Sequence, residues 1–166
     1  MREMLFIRVG ICLLKMMKTI ETHSFPGHLI RRLHQISTNI FMLRVKEAGF
    51  DLTPVQFAAM QALKASPDIE QAQIASLIAY DRATIGGVLK RLEKKGYITR
   101  VVSKSDRRAR KVNLSQEGNR IVEKLSFTVR ELQDEILYHL DDKERFLFVS
   151  LSQKASGFNQ NCEQSK

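Results

Sequence analysis

Apolar residues recur at helical spacing through much of the chain, and this pattern predicts a mainly α-helical protein. A first long helix is predicted over residues 26–48, with apolar positions spaced by alternating fours and threes: Leu29, Leu33, Ile36, Ile40 and Leu43. A second is predicted from Ser115 onward, with a near-heptad series: Ile121, Leu125, Val129, Leu132, Ile136 and Leu140. Heptad series are typical of long helices that pack against other helices. Two such series exceed what one small domain covers, which favours a dimer.

Shorter helices are predicted between and after the two long ones. The stretch TPVQ at residues 53–56 is a capping box with proline at the first helical position, and it begins a helix that continues through Leu63. A short helix is expected over residues 70–78. Asp141, with Glu144 three residues later, caps a final helix.

The most specific stretch of the sequence lies between Tyr80 and Ser115. Its first half predicts a helix, because apolar residues at i, i+3, i+4 and i+7 form one stripe: Ile85, Val88, Leu89 and Leu92. Asp81 is a suitable N-cap, and Gly96 follows two lysines as the expected C-terminal stop. The opposite face is cationic yet has little bulk in its middle: it carries Ala83, Thr84, Gly86, Gly87, Lys90 and Lys94, with Arg82 and Arg91 on its flanks.

Two adjacent glycines, Gly86 and Gly87, lie inside this predicted helix. Each costs roughly 1 kcal/mol relative to alanine in a helix interior, so stability alone does not favour them. One interpretation is a loosely made surface helix. The other is that the glycines let the backbone approach the floor of a DNA major groove, while Arg82, Thr84 and Lys90 reach base edges and phosphates.

The second half of the stretch predicts a β-hairpin. Two sets of alternate positions bracket a basic run, which predicts two short strands joined by a charged tip; they are Ile98, Arg100 and Val102, and then Val112 and Leu114. This tip carries one acid, Asp106, and five bases: Lys104, Arg107, Arg108, Arg110 and Lys111. These bases repel one another unless a polyanion lies nearby, although a solvated loop also accommodates such a run. A helix followed by a basic hairpin predicts a winged helix-turn-helix.

The segment from Asp106 to Gly118 reads DRRARKVNLSQEG and resembles the wing signature of the MarR family of bacterial transcription regulators. In that family D-x-R recurs at the wing tip, and Asp106 and Arg108 match it. The preceding RLEKKGYI, residues 91–98, matches the end of the family's recognition helix. The resemblance covers roughly residues 26–155. It implies a homodimer built by the terminal helices, double-stranded DNA as the partner, and Arg108 entering the minor groove.

The resemblance also sets the expected domain organisation. Residues 19–155 are expected to form one domain, with a DNA-binding lobe at 53–115 and dimerisation helices at 26–48 and 116–155. Residues 1–18 precede the resemblance, so translation is expected to start at Met16 or Met17; a short amphipathic helix is the alternative. The tail at 156–166 is polar and expected to be disordered.

The charge of the chain favours a polyanionic partner. The formal net charge is +9 and the pI is about 9.8. A membrane surface is the competing polyanion, but the basic residues concentrate in the helix and hairpin, so no membrane partner is expected. Cys12 and Cys162 match no disulfide or metal spacing, which favours a reducing cytoplasm.

No enzyme, cofactor or metal is expected from the sequence. It contains no nucleophile-base motif, phosphate loop or metalloenzyme signature. Four histidines do not form a cluster at ligand spacing, namely His23, His28, His34 and His139. Some relatives bind zinc near the first helix, but ordinary surface histidines explain these positions as well.

A second resemblance concerns the ligand. FPGHLIRRLHQI at residues 25–36, together with LTPVQF and YDRATIGGV, resembles regulators of nicotinate and related aromatic-acid catabolism within the family. The resemblance implies an aromatic carboxylate effector held by His28, Arg31 or Arg32. Arginine suits a carboxylate because its donors match both oxygens. A solvated helix face, or a salt bridge to a partner subunit, explains the same residues.

These observations predict a cytoplasmic, homodimeric transcription regulator, a repressor that binds a palindromic operator and is released by a small aromatic acid. One alternative is an architectural DNA-coating protein without an effector, which the basic charge equally allows. Another is a cysteine-based redox-sensing regulator. Cys12 lies upstream of the first long helix, whereas the family's peroxide sensors carry a reactive cysteine near the start of that helix.

Overall fold

The computed structural model describes residues 21–102 and 110–157. A short 3-10 helix, Glu21–Ser24, comes first, and six α-helices and three strands follow. In chain order these are α1 Pro26–Glu47, α2 Pro54–Ala65, β1 Ile69–Glu70, α3 Gln71–Leu77, α4 Arg82–Lys94, β2 Ile98–Val102, β3 Arg110–Leu114, α5 Gln116–Ile136 and α6 Asp142–Ala155. The described residues divide between Ile36 and Ser37 into two compact units. The mainly helical fold with a small wing is confirmed.

The helices begin where the sequence provides caps. At α2 the Thr53 hydroxyl accepts a hydrogen bond from the Gln56 backbone N–H at 3.3 Å, and the Gln56 side chain accepts from the Thr53 N–H at 3.0 Å. Asp141 and Glu144 form the same reciprocal arrangement at α6. These caps satisfy backbone donors that a helix start leaves free. Both predicted capping boxes are confirmed.

The wing belongs to a three-stranded antiparallel sheet in the order β1-β3-β2. The predicted hairpin is present, with Ile98 opposite Leu114 and Arg100 opposite Val112. The third strand, β1, was not predicted; its Ile69 lies opposite Val112. Two residues are too few to show an alternating pattern, so only the pairing with a distant strand reveals this element.

The core lies between the helix-turn-helix, the sheet and the start of α5. The predicted apolar stripe of α4 is fully buried in it, and so are Met60, Leu63, Ile74 and Ile121. Gly118, in the first turn of α5, lies so close to the end of α4 that a Cβ on it would overlap the Tyr97 carbonyl oxygen. That oxygen also accepts a hydrogen bond from the Ser115 N–H at 3.0 Å. The start of α5 is therefore fixed against the segment that follows the recognition helix.

One expectation about α5 is wrong. Its apolar series was assigned to a surface with no partner in the chain, but Ile121, Leu125 and Leu132 are at most 2% exposed. They belong to the chain's own core, because this face of α5 packs on α2 and β3. The helix also ends at Ile136, so Leu140 lies in the turn that follows.

The exposed apolar residues lie elsewhere. Helix α6 buries no residue in the single chain, although Phe146, Leu147, Val149 and Leu151 lie on it. On α1 the predicted heptad positions Leu29, Ile36 and Leu43 are likewise exposed. Among the described residues, no helix is long and apolar enough to cross a membrane.

Candidate DNA-binding site

Helices α3 and α4 form the helix-turn-helix. The turn between them is tight, because Ala79 adopts a left-handed conformation with φ of 55° and the Tyr80 N–H donates to the Ala75 carbonyl at 2.9 Å. Ala75 is buried, as expected for a small residue where two helices come close. Asp81 then caps α4, and its carboxylate accepts from the Thr84 backbone N–H at 2.8 Å. The sequence placed both the turn and the cap correctly.

Helix α4 presents the surface that the sequence predicted. Ile85, Val88, Leu89 and Leu92 are buried, whereas Arg82, Ala83, Thr84, Lys90, Arg91 and Lys94 are exposed. Glu93 is exposed as well, so the exposed residues of α4 carry four bases and one acid, and that acid is paired with Arg100 of β2. This surface therefore carries positive charge on a rigid helix, which is what a DNA major groove accepts.

The Thr84 side chain makes a hydrogen bond that the sequence did not predict. Its hydroxyl donates to the Asp81 carboxylate, in addition to the backbone bond to the same side chain. These hydrogen bonds, the one from the Thr84 hydroxyl foremost, lower the pKa of Asp81. Thr84 thus stabilises the helix start, and its oxygen remains as an acceptor for any contact with a base.

The two glycines of α4 have different surroundings. A Cβ on Gly86 would lie 3.1 Å from the side-chain nitrogen of Gln71 on α3, so this glycine faces the neighbouring helix. A Cβ on Gly87 would have the Arg91 guanidinium as its nearest neighbour, at 3.9 Å. Gln71 is thus a second reason for a glycine at residue 86, and the predicted approach of both glycines to DNA stays a prediction.

The wing is tied to the recognition helix. Arg100 on β2 forms an ion pair with Glu93 on α4, with Nε and Oε2 3.2 Å apart, and only 14% of the Arg100 side chain is exposed. On β3, Arg110 lies opposite Val102 and Lys111 opposite Val101. The other predicted wing-tip residues, namely Lys104, Asp106, Arg107 and Arg108, lie outside the described residues. Their DNA contacts stay predictions.

A second tie holds the end of α4. The Lys95 ammonium donates to the Asp51 carboxylate at 2.8 Å and also to the Asp51 backbone carbonyl. The hydrogen bond and the charge of Lys95 lower the pKa of Asp51. This contact joins the end of the recognition helix to the segment before α2, and no sequence pattern pointed to it.

The predicted effector residues lie at the start of α1. His28 is half-buried, its Nε2 lacks a hydrogen-bond partner within the described chain, and its ring centroid lies 5.1 Å from that of His23. Burial lowers the pKa of His28, and the charges of Arg31, His23 and Arg32 lower it further. Arg31 and Arg32 are exposed. The three predicted effector residues therefore lie near one another at the start of α1, but the described residues of the single chain do not enclose a ligand site around them.

One groove among the described residues lies apart from the predicted effector residues. A shallow groove of about 440 Å³ lies against α2 and the end of α3 and is lined by small and aliphatic side chains, among them Ala58, Ala62 and Leu77. None of the predicted effector residues lines it. Within the described ranges, no three side chains of the metal-ligating types come together.

A helix-turn-helix followed by a β-hairpin that packs beside its second helix defines the winged-helix DNA-binding fold. The sequence model of the MarR family matches residues 52–109. The transcriptional regulator HosA of Escherichia coli O157:H7 is 32% identical over 82% of this chain and 96% of HosA. The chain belongs to the MarR family of transcriptional regulators.

Two further relatives extend the comparison. The transcriptional repressor NicR of Pseudomonas putida is 27% identical over 82% of this chain and 85% of NicR. The structure of Bordetella bronchiseptica BpsR, whose DNA binding is regulated by 6-hydroxynicotinic acid, is 27% identical and superposes with a TM-score of 0.76. That match covers 82% of this chain and 96% of BpsR. The resemblance found in the sequence is confirmed at the level of the family.

Proposed function

We propose that this regulator is a homodimeric repressor that binds a palindromic operator and is released by a small aromatic carboxylate. The observation that carries the proposal is the contrast on α4 between a buried apolar face and an exposed surface with four bases and a single acid, Glu93, which is paired with Arg100. The dimer, the operator and the effector each rest on a further observation.

The dimer is supported by the exposed apolar side chains of the end helices. Phe146 is 79% exposed and Leu147 56%, and on α1 Leu43 is 57% exposed. Exposed apolar clusters of this kind mark interaction surfaces. A second copy of the chain is the partner with matching chemistry, because a two-fold interface brings the same apolar surface from each copy together.

A palindromic operator follows from that symmetry. Two recognition helices related by a two-fold axis contact half-sites one helical turn apart, so the DNA carries the same symmetry as the protein. In this proposal Arg82, Thr84 and Lys90 contact base edges and phosphates. The lack of a side chain at Gly86 and Gly87 lets the helix backbone come close to the groove floor. Lys94 and the wing residues Lys104, Arg107, Arg108 and Arg110 add phosphate and minor-groove contacts, with Asp106 beside them.

The effector is proposed from chemistry at the start of α1 and from the BpsR relative, which responds to an aromatic carboxylate. Residues 21–36 contain one acid, Glu21, against His23, His28, Arg31, Arg32 and His34. The free Nε2 of His28 and a guanidinium three or four residues away suit the two oxygens of a carboxylate. Release requires that the ligand prefer a dimer conformation in which the recognition helices are misplaced.

Titration calorimetry tests the effector, with 6-hydroxynicotinate, nicotinate and benzoate as probes. We expect one of them to bind the wild type and to weaken its DNA affinity roughly 5- to 150-fold, the range of ordinary allosteric coupling. His28→Ala, Arg31→Ala and Arg32→Ala identify which groups hold the carboxylate, and Gln35→Ala, an exposed position on the same helix, is the control. Binding that survives all three substitutions would place the effector elsewhere.

A further inference from the structure

The side chain of Gln71 lies between the two helices of the helix-turn-helix. Its amide nitrogen donates a hydrogen bond to the Arg82 carbonyl at 3.1 Å, which joins the first residue of α3 to the first residue of α4. The same nitrogen lies 3.1 Å from the place where a Cβ on residue 86 would stand, so any side chain there would press on the Gln71 amide. One amide group therefore bonds to the first residue of α4 and lies beside Gly86 in the next turn.

We propose that Gln71 is a positioning residue for operator recognition, and that residue 86 is glycine in order to admit its amide. The proposal rests on the proposed DNA binding by α4. Gln71 acts through Arg82: by holding the Arg82 carbonyl, it fixes the starting point and direction of an exposed side chain that is proposed to reach base edges. Contacts that read a base depend on such preorganisation at the level of about 0.5 Å.

The two glycines of α4 supply an internal comparison. Alanine is favoured over glycine in a helix, so Gly86→Ala and Gly87→Ala both remove backbone freedom. Only at residue 86 does the new methyl group meet Gln71, because at residue 87 the nearest neighbour is 3.9 Å away. If Gly86→Ala weakens DNA recognition only when Gln71 is present, the loss comes from the packing of α3 against α4 and not from a blocked contact with DNA.

The test starts from a duplex selected by the wild-type protein from a random DNA pool, compared with a scrambled duplex of the same composition. For Gln71→Ala we expect about a tenfold loss of affinity for the selected duplex, the size of one lost base contact, with affinity for the scrambled duplex unchanged. Gly86→Ala is expected to show a similar loss. In the Gln71→Ala variant, adding Gly86→Ala should not weaken the affinity for the selected duplex further. Gly87→Ala, by contrast, should change this affinity by the same factor in the wild type and in Gln71→Ala.

Gln71→Met covers the case in which truncation unfolds the lobe, since methionine keeps the length of glutamine and removes only the donor. It is expected to lose the same selectivity while its thermal unfolding stays close to that of the wild type. The positioning role of Gln71 would be overturned if folded Gln71→Met kept its preference for the selected duplex. It would also be overturned if the affinity losses of Gln71→Ala and Gly86→Ala multiplied in the double variant. If the wild type selects no sequence, the proposed operator binding itself fails and the role of Gln71 fails with it.

Discussion

Two regions of the chain differ in whether their apolar residues are buried: the elements from α2 to β3 and the C-terminal helix α6. In the first region Ile85, Leu89 and Leu92 are fully buried, whereas α6 buries no residue and leaves Phe146 79% exposed. The first region therefore completes its own core within one chain. On the proposed function, α6 completes its core only against a second copy, so the two regions should respond differently to the same kind of substitution.

The largest effect is expected where α5 joins the first region. Gly118→Ala places a methyl group on the Tyr97 carbonyl oxygen, and backbone atoms cannot move aside as a flexible side chain does. We expect a loss of about 4 kcal/mol in the free energy of unfolding, measured by urea denaturation. Gly27→Ala is the control, since its new Cβ meets nothing within 4 Å, and a similar loss there would show that the clash is not the cause.

A direct comparison of the core that α5 shares with the first region and of the exposed helix α6 uses Leu125→Ala and Phe146→Ala. Leu125 is fully buried, so its truncation leaves a cavity and should lower the free energy of unfolding by about 3 kcal/mol. Phe146→Ala removes an exposed ring and should instead raise the dimer dissociation constant, measured by sedimentation at micromolar concentration. Ser152→Ala, exposed on the same helix, is the control. A wild type that sediments as a monomer would contradict the proposed role of α6.

A smaller effect is expected in the turn of the helix-turn-helix. Ala79 has a φ of 55°, which is unfavourable for residues with a Cβ but not for glycine. Ala79→Gly should therefore raise the free energy of unfolding by about 1 kcal/mol in urea denaturation. Ala72→Gly, inside α3, should lower it by about the same amount. If both substitutions destabilise, the turn is not strained as the backbone angle indicates.

The smallest effect concerns the ion pair at the end of α4. Since Lys95 lowers the pKa of Asp51, the carboxylate binds its proton less readily in the folded state than in the unfolded one. Its contribution to stability is present above the ordinary value of 3.8 and is lost as the pH falls through the lowered pKa. In Asp51→Asn the free energy of unfolding, measured by urea denaturation at a series of pH values, should fall less steeply at acid pH than in the wild type. An unchanged pH dependence would argue against the ion pair.

The features that the sequence predicted are local ones. A capping box lies within four residues and the apolar stripe of α4 within eight, so both can be recognised without the partner that they pack against. Strand β1 and the Gln71 contact depend on residues distant in the chain, and no local pattern marks them. The error on α5 has the same origin, because a heptad series shows that a helix face is covered without showing by what.

The candidate site was predictable to the same extent. The exposed bases of α4 and the turn before it follow from helical spacing, whereas the separate surroundings of Gly86 and Gly87 do not. Adjacent residues on a helix point about 100° apart, and only the position of α3 decides which of them meets a neighbour.

The central claim is that α4 reads DNA as one half of a symmetric dimer, and footprinting on the DNA upstream of the gene tests it most directly. We expect a short protected region with two-fold sequence symmetry and half-sites about 10 base pairs apart, and we expect the protection to be lost when an effective aromatic acid is added. Diffuse protection without a repeated half-site, unchanged by every acid, would contradict it and would favour an architectural DNA-coating protein.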